Sequence, residues 1–137
     1  MPGIRIEIDG SSRFNPGPAG IGVRIVEKDG SVIKEISRFV GIRTNNQAEY
    51  EALLCGLRQA LNFAARPIII QTDSELIYRQ VKGSYKVRNE ELKRLHTQTR
   101  KLLAMLPHAD LRLVPRKLNQ GADKLARNAS ARKRTGK

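Results

Sequence analysis

The sequence is short of sulfur, of histidine and of unbroken apolar runs, and each shortage excludes something. One cysteine, Cys55, in 137 residues rules out an internal disulfide. It lies among Leu53, Leu54 and Leu57 with no histidine near it in sequence, which reads as a small buried thiol rather than a nucleophile. Two histidines, His96 and His108, added to that thiol make a structural zinc site a poor fit. No apolar run approaches the ~20 residues that span a bilayer. The N-terminus also lacks the basic-then-apolar pattern of a secretory signal, so the expectation is no membrane and a cytoplasmic default.

Acidic residues are scarce as well, and unevenly so. Residues 1–78 hold nine basic and nine acidic side chains, whereas residues 79–137 hold seventeen and four. The whole net charge of +13 therefore belongs to the second half. A one-sided surplus of this kind predicts a polyanion partner, of which nucleic acid is the commonest.

What is present suits one folded domain. The length fits a single core, and 39% hydrophobic with 28% charged residues is a globular composition. The domain is expected over residues 1–130, followed by a basic C-terminal tail, 131–137, with Arg132, Lys133, Arg134 and Lys137.

Ile4, Ile6 and Ile8 alternate with Arg5, Glu7 and Asp9, the period of a strand with one buried face, ending at Asp9. Asn15-Pro16-Gly17-Pro18 supplies a loop, and Ile21, Val23 and Ile25 resume the alternation. Asp29-Gly30 is a hairpin signal leading to a third strand from about Val32 to Val40. Thr44, Asn45 and Asn46 are each candidate caps for a helix predicted from Gln47 to Phe63. Ile68-Ile69-Ile70 has the continuous apolar character of a strand covered on both faces, and it reaches Thr72-Asp73. A short helix over 74–81 follows. Leu92, Leu95, Thr99, Leu102, Leu103 and Leu106 then mark an amphipathic helix. A strand at Leu111–Val114 and a last helix with Ala122, Leu125, Ala126 and Ala129 complete the order βββαβααβα. That order implies an α/β fold, a mixed five-stranded sheet flanked by helices.

Four acids stand where surface acids are not required: Asp9 and Asp73 at strand ends, Glu49 and Asp123 in the first turns of helices. Singly, each has an ordinary explanation, since helix starts favour acids through the dipole and strand-terminal aspartates make turns. Jointly they converge on the rim where α/β sheets bind ligands. Clustered carboxylates repel and are retained when cations bind between them. All-oxygen donors select Mg²⁺ or Mn²⁺. Two such ions suit phosphodiester hydrolysis, and the basic half supplies attraction for the phosphodiester.

At these residues the chain resembles type 1 ribonuclease H. The matching segments are Ile8-Asp9-Gly10-Ser11 through Asn15-Pro16-Gly17-Pro18, Thr44-Asn45-Asn46-Gln47-Ala48-Glu49, Thr72-Asp73-Ser74, and Ala122-Asp123-Lys124-Leu125-Ala126, spread over residues 3–130. The resemblance implies a ribonuclease H fold and an endonuclease that hydrolyses the RNA strand of RNA/DNA hybrids by a two-metal-ion mechanism, leaving 5′-phosphate and 3′-hydroxyl ends. It carries the metal-binding and catalytic roles onto Asp9, Glu49, Asp73 and Asp123. It places Ser12, Asn15, Asn45 and Asn46 against the hybrid's sugars and backbone, with Thr44 near a DNA phosphate. Amide and hydroxyl groups suit the 2′-hydroxyls that distinguish RNA. A monomer without an obligatory protein partner is expected. The alternatives are a non-catalytic nucleic-acid-binding domain of this fold and a related nuclease for double-stranded RNA.

Three features depart from the family pattern. Only Lys82–Asn89 separates the two middle helices, so the basic protrusion of many members is absent or reduced. Glu75 stands where a neutral amide is common. No histidine occurs between Leu113 and Asp123, where many members carry one in the loop before the last helix. Arg116, Lys117 or Asn119 fills that role, or nothing does, and Arg116 is suited to clamp a phosphate rather than exchange protons.

Overall fold

In the computed structural model, which describes residues 2–131, five strands and four α-helices follow the expected order. The strands are β1 (Ile4–Ser12), β2 (Gly17–Glu27), β3 (Val32–Arg43), β4 (Ile68–Thr72) and β5 (Ala109–Leu113). The helices are α1 (Asn45–Ala60), α2 (Glu75–Lys82), α3 (Glu90–Ala104) and α4 (Gln120–Ser130). Short 3₁₀ turns occupy Leu61–Phe63 and Arg116–Leu118. Of the expected basic tail only Ala131 belongs to the described residues.

The sheet order is β3-β2-β1-β4-β5. β1, β2 and β3 form an antiparallel meander, while β4 runs parallel to both β1 and β5. Parallel pairing forces each return crossing through a helix, so the ends of β1 and β4 lie at one edge. On one face Ile6, Ile8, Val23 and Ile25 pack with Tyr50, Leu53 and Leu57 of α1, all essentially without solvent exposure. Each such side chain contributes roughly 1.5–3 kcal/mol through burial.

The other face is built for close approach by α4. A Cβ placed on Gly22 would lie 2.2 Å from the Ala122 carbonyl oxygen. Ala122, Ala126 and Ala129 are fully buried there, small residues meeting a strand that has no side chain at that point. Gly10 does the same for α1, since a Cβ on it would lie 2.2 Å from the Ala48 carbonyl carbon. The two helices that carry acids are thus drawn in against the sheet.

Several boundaries differ from the sequence reading. β1 continues three residues past Asp9 to Ser12, because residues 9–12 pair with residues 19–22 of β2. β3 runs to Arg43, with a register shift opposite Ala19 and Gly20 that Gly41 accommodates at φ 89°. α1 begins at Asn45 because Thr44 is the cap: its side chain accepts from the Gln47 N–H while the Gln47 side chain accepts from the Thr44 N–H. Glu49 therefore sits in the second turn, beyond the first-turn dipole position. Finally, Ile69 of β4 is only partly buried and lines a surface recess with Arg5 and Pro67, so β4 is fully covered on one face alone.

Candidate active site

Asp9 is brought to the site by β1, Asp73 by the end of β4, and Glu49 by α1. Each offers a carboxylate oxygen, and these oxygens lie within 4.8 Å of one another. Glu49 Oε1 accepts from the Gly10 N–H at 2.9 Å, a bond possible only because Gly10 lets α1 touch the strand. That contact, rather than a helix dipole, fixes the glutamate.

Three acids this close are electrostatically strained. Burial, followed by the charges of Glu49 and Asp73, holds the Asp9 carboxyl far above its ordinary range. Burial also raises Glu49, against the pull of the Gly10 N–H. Asp73 is raised by burial too, and Arg116 and Asn119 draw it back. Without cations between them, all three carboxyls favour protonation more than isolated ones do. An all-oxygen donor set of this kind fits a hard divalent cation and no softer one.

Asp123 stands apart from the trio. Its proximity helps to raise Asp9, yet its Oδ2 pairs with Arg127 at 3.2 Å and its side chain keeps 21% exposure. Arg116 places Nε 4.0 Å from Asp73 Oδ2 while its side chain remains 84% exposed. Its guanidinium is therefore at the mouth of the acid cluster, directed to solvent on its other edges.

The amide and hydroxyl residues lock the β1–β2 loop onto the start of α1. Asn45 Oδ1 accepts from the Ser12 N–H, and Asn15 Oδ1 accepts from the Asn45 N–H, each at 3.0 Å. The Ser12 hydroxyl donates to the Arg43 carbonyl at 2.9 Å and also meets the carbonyl of Phe14. Ser12 is thus turned inward, whereas exposed Asn15 and Asn45 use their oxygens internally. Asn46 and Thr44 are half-buried on the same turn.

Asn119 is a residue whose place the sequence reading missed. It stands before α4 like a cap, but makes no side-chain capping bond. Instead it is fully buried, and its Nδ2 donates to the Ile8 carbonyl at 2.8 Å, tying the α4 entrance to the residue before Asp9. Its buried Oδ1 has no hydrogen-bond partner among the described residues. The signal available in sequence was only its position between a basic loop and an alanine-rich helix.

Residues 7–129 match the family described as Reverse transcriptase-like. Ribonuclease HI of Halobacterium salinarum is 39% identical over 126 residues, covering 92% of this chain and 63% of that protein. The Bifunctional protein Rv2228c of Mycobacterium tuberculosis is 39% identical over 127 residues, covering 92% of this chain and 35% of that protein. The chain thus spans less than two thirds of either relative. Among solved structures, the N-terminal RNase H domain of rv2228c superimposes with a TM-score of 0.87 at 37% identity, covering 93% of this chain and 98% of that one. LC11-RNase H1, in complex with an RNA/DNA hybrid, gives 0.85 at 38% identity, covering 92% and 95%. The chain belongs to the reverse-transcriptase-like family, within its type 1 ribonuclease H branch. It is a compact form, with only residues 83–89 between α2 and α3.

Proposed function

We propose that this protein is an endoribonuclease that hydrolyses the RNA strand of RNA/DNA hybrids, leaving 5′-phosphate and 3′-hydroxyl ends. The observation that carries the reading is the meeting of Asp9, Glu49 and Asp73 within 4.8 Å, near the exposed Asn15 of the β1–β2 loop and Asn45 at the start of α1. Asp9, Glu49 and Asp73 would hold two Mg²⁺ or Mn²⁺ ions, with Asp123 contributing from the rim. The chemistry such ions supply when bound is acidification of a water and neutralisation of charge on the leaving oxygen.

The protein's own side chains do the rest. The Gly10 main-chain N–H holds Glu49, and Asn119 anchors the backbone next to Asp9. Asn15 and Asn45 retain their Nδ2 donors for the sugar edge of the RNA strand, where 2′-hydroxyls are read. Thr44 and Asn46 extend that surface toward the DNA strand. Arg116 holds the scissile phosphate by charge, a role an always-protonated guanidinium performs without exchanging protons. The protein acts as a monomer in this reading.

The test is a gel assay on end-labelled RNA/DNA hybrid, RNA duplex, DNA duplex and single-stranded RNA, each with Mg²⁺, Mn²⁺ or EDTA. The reading requires cleavage of the hybrid's RNA strand with either ion and none in EDTA. Binding without cleavage would leave a nucleic-acid-binding domain, and preferential cleavage of RNA duplex would change the substrate.

A further inference from the structure

Beside the acid cluster lies a cleft of about 650 Å³, walled by the β1–β2 loop on one side and by α4 with the preceding turn on the other. Arg13, Arg116, Lys124 and Arg127 line it, against the single carboxylate Asp123. Two of these cations are already engaged with the site's acids, Arg116 with Asp73 and Arg127 with Asp123. Arg13 and Lys124 form no ion pair with any described residue, and both are exposed. Arg13 is held in position by its main chain, whose N–H donates to the Pro18 carbonyl at 2.9 Å.

Neutralising the acids accounts for Arg116 and Arg127 but not for the other two. Four cations around one concave wall attract an anion, and the cleft opens where Asp123 enters the acid cluster. A polyphosphate strand whose scissile phosphate sits on the acids has its neighbouring phosphates within reach of this wall. The strand concerned is the one being cut, since it alone enters the cluster. We propose that the cleft is a subsite for a backbone phosphate of the cleaved RNA strand flanking the scissile one, with Arg13 and Lys124 as its principal contacts. The inference deepens the hybrid-cleavage reading and rests on it.

A single neutral methylphosphonate walked along the RNA strand of a defined hybrid tests this. Each modified nucleotide carries a 2′-O-methyl group, and the same nucleotide with an ordinary phosphate is the control. For the unaltered protein, KM should rise about 5- to 10-fold at one or two linkages beside the cut, with kcat changed less than about twofold. The Arg13→Ala/Lys124→Ala variant should show that higher KM on unmodified hybrid and be indifferent to the neutral linkage. Its slope of log affinity against log salt should be shallower by about 0.7–0.9 per contact removed. Both side chains are exposed, so an unchanged melting temperature confirms folding. A variant as sensitive to the linkage as the parent, or one with unchanged KM and salt slope, overturns the subsite. Equilibrium binding of the same series in EDTA separates the two readings. Linkage sensitivity without any cleavage in Mg²⁺ or Mn²⁺ sinks the enzymatic reading, and cleavage without linkage sensitivity sinks the subsite.

Discussion

The two helices that bring acids to the site begin in different ways. α1 is closed by the reciprocal Thr44–Gln47 box, and it presses a half-buried Glu49 against the Gly10 N–H. α4 starts from Asn119, which caps nothing with its side chain, and Asp123 in its first turn is partly exposed and paired with Arg127. A carboxylate packed among other acids and bonded to the backbone gains most from a cation or a proton. A solvated one beside an arginine has both, and can be replaced by an amide or a water. Glu49 thus belongs to the rigid part of the site with Asp9 and Asp73, and Asp123 to its adaptable edge.

The largest effect that would break this contrast comes from amide substitution. Asp9→Asn, Glu49→Gln and Asp73→Asn are each expected to lower hybrid cleavage by about 10³-fold or more, some 4 kcal/mol of barrier. Asp123→Asn is expected to lose about 10- to 100-fold, the range of groups that support a metal site from outside. Steady-state rates at saturating hybrid check this, and equal losses at Glu49 and Asp123 would erase the distinction.

Next in size is Gly10→Ala. Its methyl would collide with the Ala48 backbone, so α1 must retreat at an expected cost of about 3 kcal/mol. Thermal unfolding should show the loss, and cleavage should fall with it because Glu49 leaves its N–H donor. A variant with parental stability would mean that α1 is not held as described.

Arg116→Ala should slow turnover about 10- to 100-fold, the ~1.4–3 kcal/mol of one charged contact, without altering the fold. Arg116→His should restore part of the rate and add a pH dependence near ~6.5. Unchanged turnover in Arg116→Ala would make the residue a bystander.

The smallest effect is on the metal-free protein. Asp9 and Glu49 have carboxyls raised above their unfolded values by burial, so the folded state keeps protons that the unfolded chain releases. Stability from these groups is complete below the unfolded carboxylate range and declines as pH rises from about 4 towards about 8 for Glu49 and about 10 for Asp9. Asp9→Asn should flatten that decline and raise the neutral-pH melting temperature, by roughly 3–10 °C for about 1–2 kcal/mol. A metal-free protein that grows more stable over the same range would contradict the sign.

Much of this was legible in the sequence. Alternating isoleucines marked β1, leucine spacing marked α3, and the four acids stood out because strand and helix ends need none of them together. Other features depended on distances that sequence does not carry. Thr44, Asn45 and Asn46 were equivalent as caps until Gln47 closed the box with Thr44, which moved Glu49 out of the first turn. Asn119 looked like a loop residue because its partner, the Ile8 carbonyl, lies 111 positions away. Arg13 and Lys124 drew no notice singly, since only folding places the two on one cleft.

The most direct test of the acid trio reads metal binding through stability rather than activity. Thermal unfolding at pH 8 is followed as Mg²⁺ is added to the parent protein and to its Asp73→Asn and Asp123→Asn variants. A cation bound only by the folded state stabilises it by RT ln(1 + [L]/Kd), about 2.7 kcal/mol at a hundredfold excess over Kd. The account predicts a rising melting temperature for the parent, a similar rise for Asp123→Asn and none for Asp73→Asn. A parent indifferent to Mg²⁺ and Mn²⁺, or an Asp73→Asn variant that responds as the parent does, would contradict it.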